Sequence, residues 1–251
     1  MLKVYLFLSA LHFSIGDDIQ CNIHIKIPYP QNSTLASTQG DFTALFSNPS
    51  DQKIDFMATN DPHVTLFLTA FSSESLDDLF HVASTTLKST YKTYCSSSTS
   101  HTPYIMKSGI NQYVSGSYAM LNVSLTDCLQ ALSDELVLAA QSFVSDSAKE
   151  YIPSWIYNLP DDEQAEKIEL IKQYGSPNVF SGFSPHVTFL VDDVNSTELS
   201  IIFDENQVAE VDSSVQFVGF GAVGNFGSVL KGQDFAFPVD LATSSPHTQI
   251  K

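Results

Sequence analysis

In "CNIHIKIP" the chain alternates with period two. Cys21, Ile23, Ile25 and Ile27 fall on one side, with Asn22, His24 and Lys26 on the other. Successive Cβ atoms of a strand point to opposite faces, so this pattern predicts a half-buried strand closed by Pro28. Residues Tyr29 to Thr59 are rich in Ser, Thr, Asn and Pro, which predicts a long irregular connection with a short strand around Asp55–Ala58. The period lengthens to that of a helix where Leu76, Leu79, Phe80, Ala83, Leu87 and Tyr91 trace one face, with Ser75 and Asp78 spaced as a capping box. A second helix is expected from about Thr126 to Ser145, with Cys128, Leu129, Leu132, Leu136 and Phe143 inward. A third runs from Asp161 to Tyr174, opening on acids and stopping at Gly175, and a fourth lies around Thr197–Phe203. "NQYVSGSYAMLNVSL" reads as a strand or hairpin, with Gly116 as a bulge or close backbone approach. "SVQFVGFGAV" and "GSVLKGQDFAFPV" read as two last strands, and residues 242–251 as a disordered tail.

Twice the alternation carries the same four residues, Pro62-His63-Val64-Thr65 and Pro185-His186-Val187-Thr188. On an extended strand His63, Thr65, Phe67 and Thr69 share a face opposite Val64, Leu66 and Leu68. In the second copy His186, Thr188, Leu190 and Asp192 oppose Val187, Phe189 and Val191. Each copy follows a loop and precedes a helix and further strand. The chain therefore reads as a weak duplication, with lobes of roughly residues 20–125 and 126–240 inside one domain, 17–241.

Composition narrows the functional classes. Hydrophobic residues are 43% and charged residues 16% of 251, which is globular, and the chain is long enough to bury a sizeable core. The formal net charge is −17, and all 11 basic residues are Lys, so duplex DNA or long RNA is repelled and no guanidinium fork exists for phosphate. A small anion remains accessible, because nearby donors outweigh a distant screened field. Lys3, the apolar run "VYLFLSALHF" and the small residues Ser14 and Gly16 predict an export signal over residues 1–16, a buried first strand being the alternative. No apolar run is long enough for a membrane span. Sequons at Asn32, Asn122 and Asn195 agree with a secreted or secretory-lumen glycoprotein. Three cysteines permit at most one internal disulfide; Cys95 with Cys128 is the expected pair, leaving Cys21 as a buried thiol. A monomer is expected.

Two facing strands of this kind place two imidazoles and two hydroxyls around one cavity. Displacement at phosphorus is in line, so a neutral imidazole on one side takes a proton from the nucleophile while an imidazolium on the other supplies the leaving oxygen. An ordinary pKa near 6.5 allows histidine both tasks, and threonine hydroxyls can donate to non-bridging oxygens. At His63-Val64-Thr65 and His186-Val187-Thr188 the chain resembles the 2H phosphoesterase superfamily, which includes cyclic phosphodiesterases and RNA 2′-5′-ligase-like proteins. The resemblance implies a bilobal α+β fold, with two pseudo-symmetric antiparallel sheets, outer helices and a central groove holding one H-x-T motif from each lobe. It also implies action on a 2′,3′-cyclic phosphate, nucleotide or short RNA phosphodiester without metal or other cofactor. His63 and His186 would be the acid–base pair, in either assignment, and Thr65 and Thr188 the phosphate donors. Tyr29, Tyr118 and Phe183 are candidates for stacking on a base and Lys107 for a phosphate contact, each set against a packing or surface role. His24 is expected on a solvated strand face. The alternative from another class is an extracellular module that binds a nucleotide or phosphorylated ligand without turnover; a structural glycoprotein with a degenerate site is a third.

Overall fold

The structure, a computed structural model, describes residues 14–15, 18–96 and 105–239. The expected export signal, apart from Ser14–Ile15, and the expected tail lie outside the described residues. The fold is α+β, with two antiparallel sheets flanked by helices and no closed barrel.

The first sheet holds β1 (Ser14–Ile15), β2 (Asp18–Lys26), β3 (Asn60–Asp61), β4 (His63–Ser72), β9 (Phe217–Val223) and β10 (Val229–Pro238). In it β2 lies between β4 and β9, and β10 joins β9 to β3. The second sheet runs in the order β7 (His186–Val191), β6 (Tyr118–Val123), β5 (Ile105–Ser115), β8 (Val211–Ser214). A lobe boundary near residue 125 therefore does not hold. The β5–β6 hairpin pairs forward with β7, and the C-terminal β9–β10 hairpin returns to cover an edge of β2. Local hairpin pairing and the need to cover an exposed strand edge override the chain order.

The helices are exchanged in the same way. Helix α1 (Gln31–Thr43) follows β2 but packs on β7 and β8 of the second sheet. Helix α3 (Asp127–Ala140) follows β6 but packs on β4 of the first, alongside α2 (Leu76–Thr90). Helices α4 (Asp146–Glu150) and α5 (Asp161–Tyr174) join α3 to β7, and α6 (Ser196–Glu205) covers β5 and β6. Strand, helix, H-x-T strand and helix thus occur twice, as β2–α1–β4–α2 and β6–α3–β7–α6.

Several local expectations are corrected. Helix α1 replaces the first part of the expected irregular connection, because Leu35, Ala36, Gln39 and Phe42 present one buried stripe within an otherwise polar segment. The short strand expected at Asp55–Ala58 is a turn capped by the Asp55 carboxylate, which accepts from the backbone N–H of Met57 and Ala58. Ser75 makes no cap bond to α2; its hydroxyl donates to the Ser72 carbonyl. Gly116 is neither bulge nor close approach but the hairpin turn between β5 and β6, at φ +57°.

Each H-x-T strand contains a β-bulge at the residue after its Thr. Ile23 pairs with Phe67 and His24 with Thr65, leaving Leu66 unpaired; Ala119 pairs with Leu190 and Met120 with Thr188, leaving Phe189 unpaired. A bulge shifts the alternation by one residue. Phe67, Thr69 and Leu190, expected beside the histidines, are therefore buried on the core side, and Leu68 takes the place expected of Phe67. The carbonyl that each bulge frees is held by a helix side chain. The Ser133 hydroxyl of α3 donates to Leu66 O at 3.0 Å, and the Gln39 amide of α1 donates to Phe189 O at 2.6 Å.

Around the second bulge, Phe189 meets Phe42, Phe56 and Phe203 at ring-centroid distances of 5.5, 6.2 and 6.1 Å. Phe189→Ala should cost about 3–5 kcal/mol, a value that urea denaturation checks through the shift in midpoint at unchanged slope.

Candidate functional site

Strands β4 and β7 are both sheet edges, each paired with a single other strand, and they lie against each other where the sheets meet. His63 and Thr65 on β4, and His186 and Thr188 on β7, are set on the faces opposite the buried Val64 and Val187. His63 is 8% exposed and His186 half-buried. The two rings are within electrostatic reach, since charge on His186 disfavours protonation of His63.

Both histidines are held in one tautomer by the same contact. His63 Nδ1 lies 2.9 Å from Asp61 O and His186 Nδ1 lies 2.8 Å from Ser184 O, in each case the carbonyl two residues earlier. A carbonyl only accepts, so Nδ1 carries hydrogen and Nε2 of each neutral ring carries the lone pair. Burial, the neighbouring His24 and His186 together bring His63 down to about 3, against a smaller opposing pull from the Asp61 carbonyl and Asp234. Burial also lowers His186.

Around His63 the structure assembles side chains that strand periodicity leaves unassigned. The Asn22 amide nitrogen lies 2.9 Å from Thr65 Oγ1, 3.2 Å from His63 Nε2 and 3.2 Å from Gly227 O. His24, expected on a solvated face, is fully buried, with its ring 5.2 Å from that of His63. Its Nδ1 donates to Asn22 O at 3.0 Å, and its Nε2 stands 3.6 Å from Asp234 Oδ2, too far for a hydrogen bond. Lys26, opposite His63 in the ladder, donates to Asp234 Oδ2 at 2.5 Å and lies 3.7 Å from Asp61 Oδ2. Burial raises the Asp234 carboxyl, but His24 and Lys26 outweigh it and hold the group below its usual range.

His24 is buried because β9 makes room for it. Gly219 and Gly221 fall on one face of β9, opposite His24 and Asn22, and a Cβ on Gly219 would stand 2.5 Å from His24 Nε2 and 2.7 Å from Asp234 Oδ2. The G-x-G alternation in "FVGFGAV" was the signal available in the sequence: a strand giving up two side chains on one face leaves space for others.

The second half has no such cluster. Met120 and Asn122 of β6 stand opposite Thr188 and His186, where β2 places His24 and Lys26 opposite Thr65 and His63. A depression beside His186 is walled by Asn111, Asn122, Ser124, Ser184 and Pro185. Tyr118 is half-buried on β6, its ring 6.1 Å from Phe226 in the β9–β10 loop. Phe183 lines the same depression but is 6% exposed and packed in the core, so its face is not free for stacking. Lys107 is exposed on β5, one strand removed from β7. Tyr29 is 80% exposed in the turn between β2 and α1. Of the sequons, Asn32 lies in the first turn of α1, Asn122 on β6, and Asn195 at the N-cap of α6, accepting from Glu198 N. Cys95 and Cys128 form a disulfide joining the helical segment Tyr91–Cys95, which follows α2, to α3. Cys21 is buried and its thiol is pushed up to about 12 by burial. Among the described residues no group of three or more His, Cys, Asp or Glu is placed to hold a metal ion, and no helix is long and apolar enough to cross a membrane.

Two measurements test this arrangement. Gly219→Ala should destabilise the fold by about 1–3 kcal/mol, the cost of forcing an added group into a filled space, and displace the His24 ring. His63 binds its proton more weakly folded than unfolded, so its contribution to stability is present above pH ~6.5 and is lost as pH falls towards about 3. His63→Gln should flatten the fall of unfolding free energy across that window in pH-dependent urea titrations.

No family model matches the chain, and no curated protein matches it in sequence. Among solved structures, TT0787 of Thermus thermophilus is similar with a TM-score of 0.46 at 12% identity, over 88% of this chain and 98% of that one. LigT of E. coli, in a structure complexed with NADP+, has a TM-score of 0.42 at 12% identity, over 87% of this chain and 94% of that one. Likenesses this distant carry no functional argument.

Proposed function

We propose that the protein is a metal-independent 2H-type phosphodiesterase acting on a 2′,3′-cyclic phosphate, a nucleotide or a short RNA phosphodiester. The observation that carries this reading is the pairing of two tautomer-matched histidines, each with a threonine two residues on, from edge strands of two sheets that lie together. For a cyclic phosphate, water attacks phosphorus and gives a proton to His63 Nε2. The P–O bond to the ribose oxygen breaks, and that oxygen takes a proton from His186 Nε2. The stronger hold on neutral His63 favours it as the base in this direction, and the roles reverse for cyclisation. Thr65 and Thr188 donate to the non-bridging oxygens. The acidic surface favours small substrates over long RNA.

The Cys95–Cys128 disulfide supports an oxidising compartment, so we place the protein in the secretory lumen or outside the cell. Asn122 stands opposite His186, and a glycan there would fill the site; glycopeptide mapping of active protein should find Asn122 unmodified.

The decisive experiment incubates the protein in EDTA with 2′,3′-cyclic nucleotides, 2′-5′ and 3′-5′ dinucleotides and short RNAs. Turnover is expected, and His63→Ala or His186→Ala should each reduce kcat/KM by about 10²–10⁴-fold. Full activity in either variant would sink the reading, and ligand binding without product would favour a binding module. Both histidines ionise below the ordinary 6.5, so kcat/KM should peak at acid pH, between about 3 and 6.5, and fall on both sides.

A further inference from the structure

The Asn22 amide nitrogen has two hydrogens but three acceptors within 3.2 Å: Thr65 Oγ1, His63 Nε2 and Gly227 O. Its orientation is fixed by those acceptors. Gly227 O cannot donate, and His63 Nε2 is the bare nitrogen of a ring whose Nδ1 is committed to Asp61 O. The reverse orientation would set Oδ1 against two lone pairs. Asn22 Oδ1 itself is buried and has no hydrogen-bond partner among the described residues. A buried carbonyl left this way costs about 1–3 kcal/mol, which an apolar residue in the strand would avoid. The sheet tolerates this polar group on the face that carries the candidate site.

The contact with Thr65 has a second consequence. Because Thr65 Oγ1 accepts from Asn22, its own hydrogen must point elsewhere, and the hydroxyl is left as a donor towards the shared face of β4 and β7.

We propose that Asn22 is a positioning residue of this site: its amide sets the Thr65 hydroxyl as a donor and caps His63 Nε2 until a substrate proton takes its place. This rests on the phosphodiesterase reading for its catalytic half only. In the resting protein three acceptors share two hydrogens. When Nε2 takes a proton from the nucleophile it stops accepting, and the two Asn22 hydrogens then match Thr65 Oγ1 and Gly227 O one to one. The Gly227 carbonyl belongs to the β9–β10 loop, where Phe226 and Gly227 both adopt positive φ, 62° and 74°. That carbonyl receives the hydrogen released when the ring is protonated.

Substitution separates the two halves of the proposal. Asn22→Leu removes the donor, and Asn22→Asp turns it into an acceptor that draws the Thr65 hydrogen inward and stabilises the charged imidazole. Other titratable groups around His63 are His24 and Lys26 on β2, Asp61 on β3, Asp234 on β10 and His186 on β7, all unchanged in these variants. Imidazole ¹⁵N NMR should show wild-type His63 as the Nδ1–H tautomer, resisting protonation to well below pH 6. In Asn22→Asp its titration should move up towards the ordinary value, which a purely structural role would not produce. With a 2′,3′-cyclic nucleotide, both variants should lose kcat by about tenfold or more, with KM changed less than threefold. Should either variant fail to fold, the wild type still decides: added inorganic phosphate should shift His63 Nε2 and leave Nδ1 in place. An unmoved Nε2 resonance, an unmoved titration in Asn22→Asp, or kcat within twofold of wild type in folded variants overturns the proposal. If the wild type turns over nothing in the panel while the ring behaves as stated, the enzymatic reading falls and the positioning of His63 stands.

Discussion

The arrangement depends on two backbone carbonyls, Leu66 O and Phe189 O, that leave their ladders at a bulge and must find a donor in the interior. A buried carbonyl without one is costly, and each is satisfied by a side chain from a helix following the other sheet's strand: Ser133 on α3 and Gln39 on α1. Gln39 is occupied at both ends, since its Oε1 also accepts from Phe56 N. These bonds fix the position of α1 and α3 against the edge strands. They also hold the kink that lets a histidine and a threonine stand on one face while two consecutive apolar residues, Leu66–Phe67 or Phe189–Leu190, enter the core. The duplicated motif is thus longer than its four letters: Pro, His, Val, Thr, then a bulge, then a helix donor.

Within this common frame the halves differ in what surrounds each imidazole. Strand β2 surrounds His63 with Asn22, His24 and Lys26, and β10 adds Asp234, so the ring is buried in a hydrogen-bonded polar cluster. Strand β6 offers His186 an asparagine and a methionine and leaves the ring more open. The same scaffold used twice with different neighbours is how two chemically identical groups acquire distinct proton affinities. A reaction that needs one imidazole bare and the other charged calls for such a difference.

Much of this was legible in the chain. The helices over residues 76–90 and 127–140 and strand β2 follow from periodicity, because each presents a long apolar stripe with the right spacing; the placement of each His and Thr on one face follows from strand alternation, and the helix over 161–174 from its acidic start and the stop at Gly175. Helix α1 was not legible, because its buried stripe includes Gln39, whose role appears only when Phe189 O is seen to need a donor. The exchange of hairpins between sheets was hidden for a different reason. Strand pairing between distant segments is set by edges and shared core, neither of which leaves a periodic trace. The burial of His24 was readable only jointly, from an alternating strand in one place and Gly219 and Gly221 nearly two hundred residues later.

The insertion of β9 beside β2 also governs when the fold can exist. Residues 218–222 pair with residues 21–25, so the first sheet remains open on that side until nearly two hundred further residues have been made. During synthesis β2 and β4 can pair early, yet the β9 edge of β2 and the space that Gly219 leaves for His24 wait for the C-terminal hairpin. Contacts of such sequence separation are slow to form, and an unpaired apolar strand is exposed to aggregation meanwhile. Completion of the polar cluster around His63 is therefore a late event, and the burial of that imidazole waits until the chain has folded back on its own beginning.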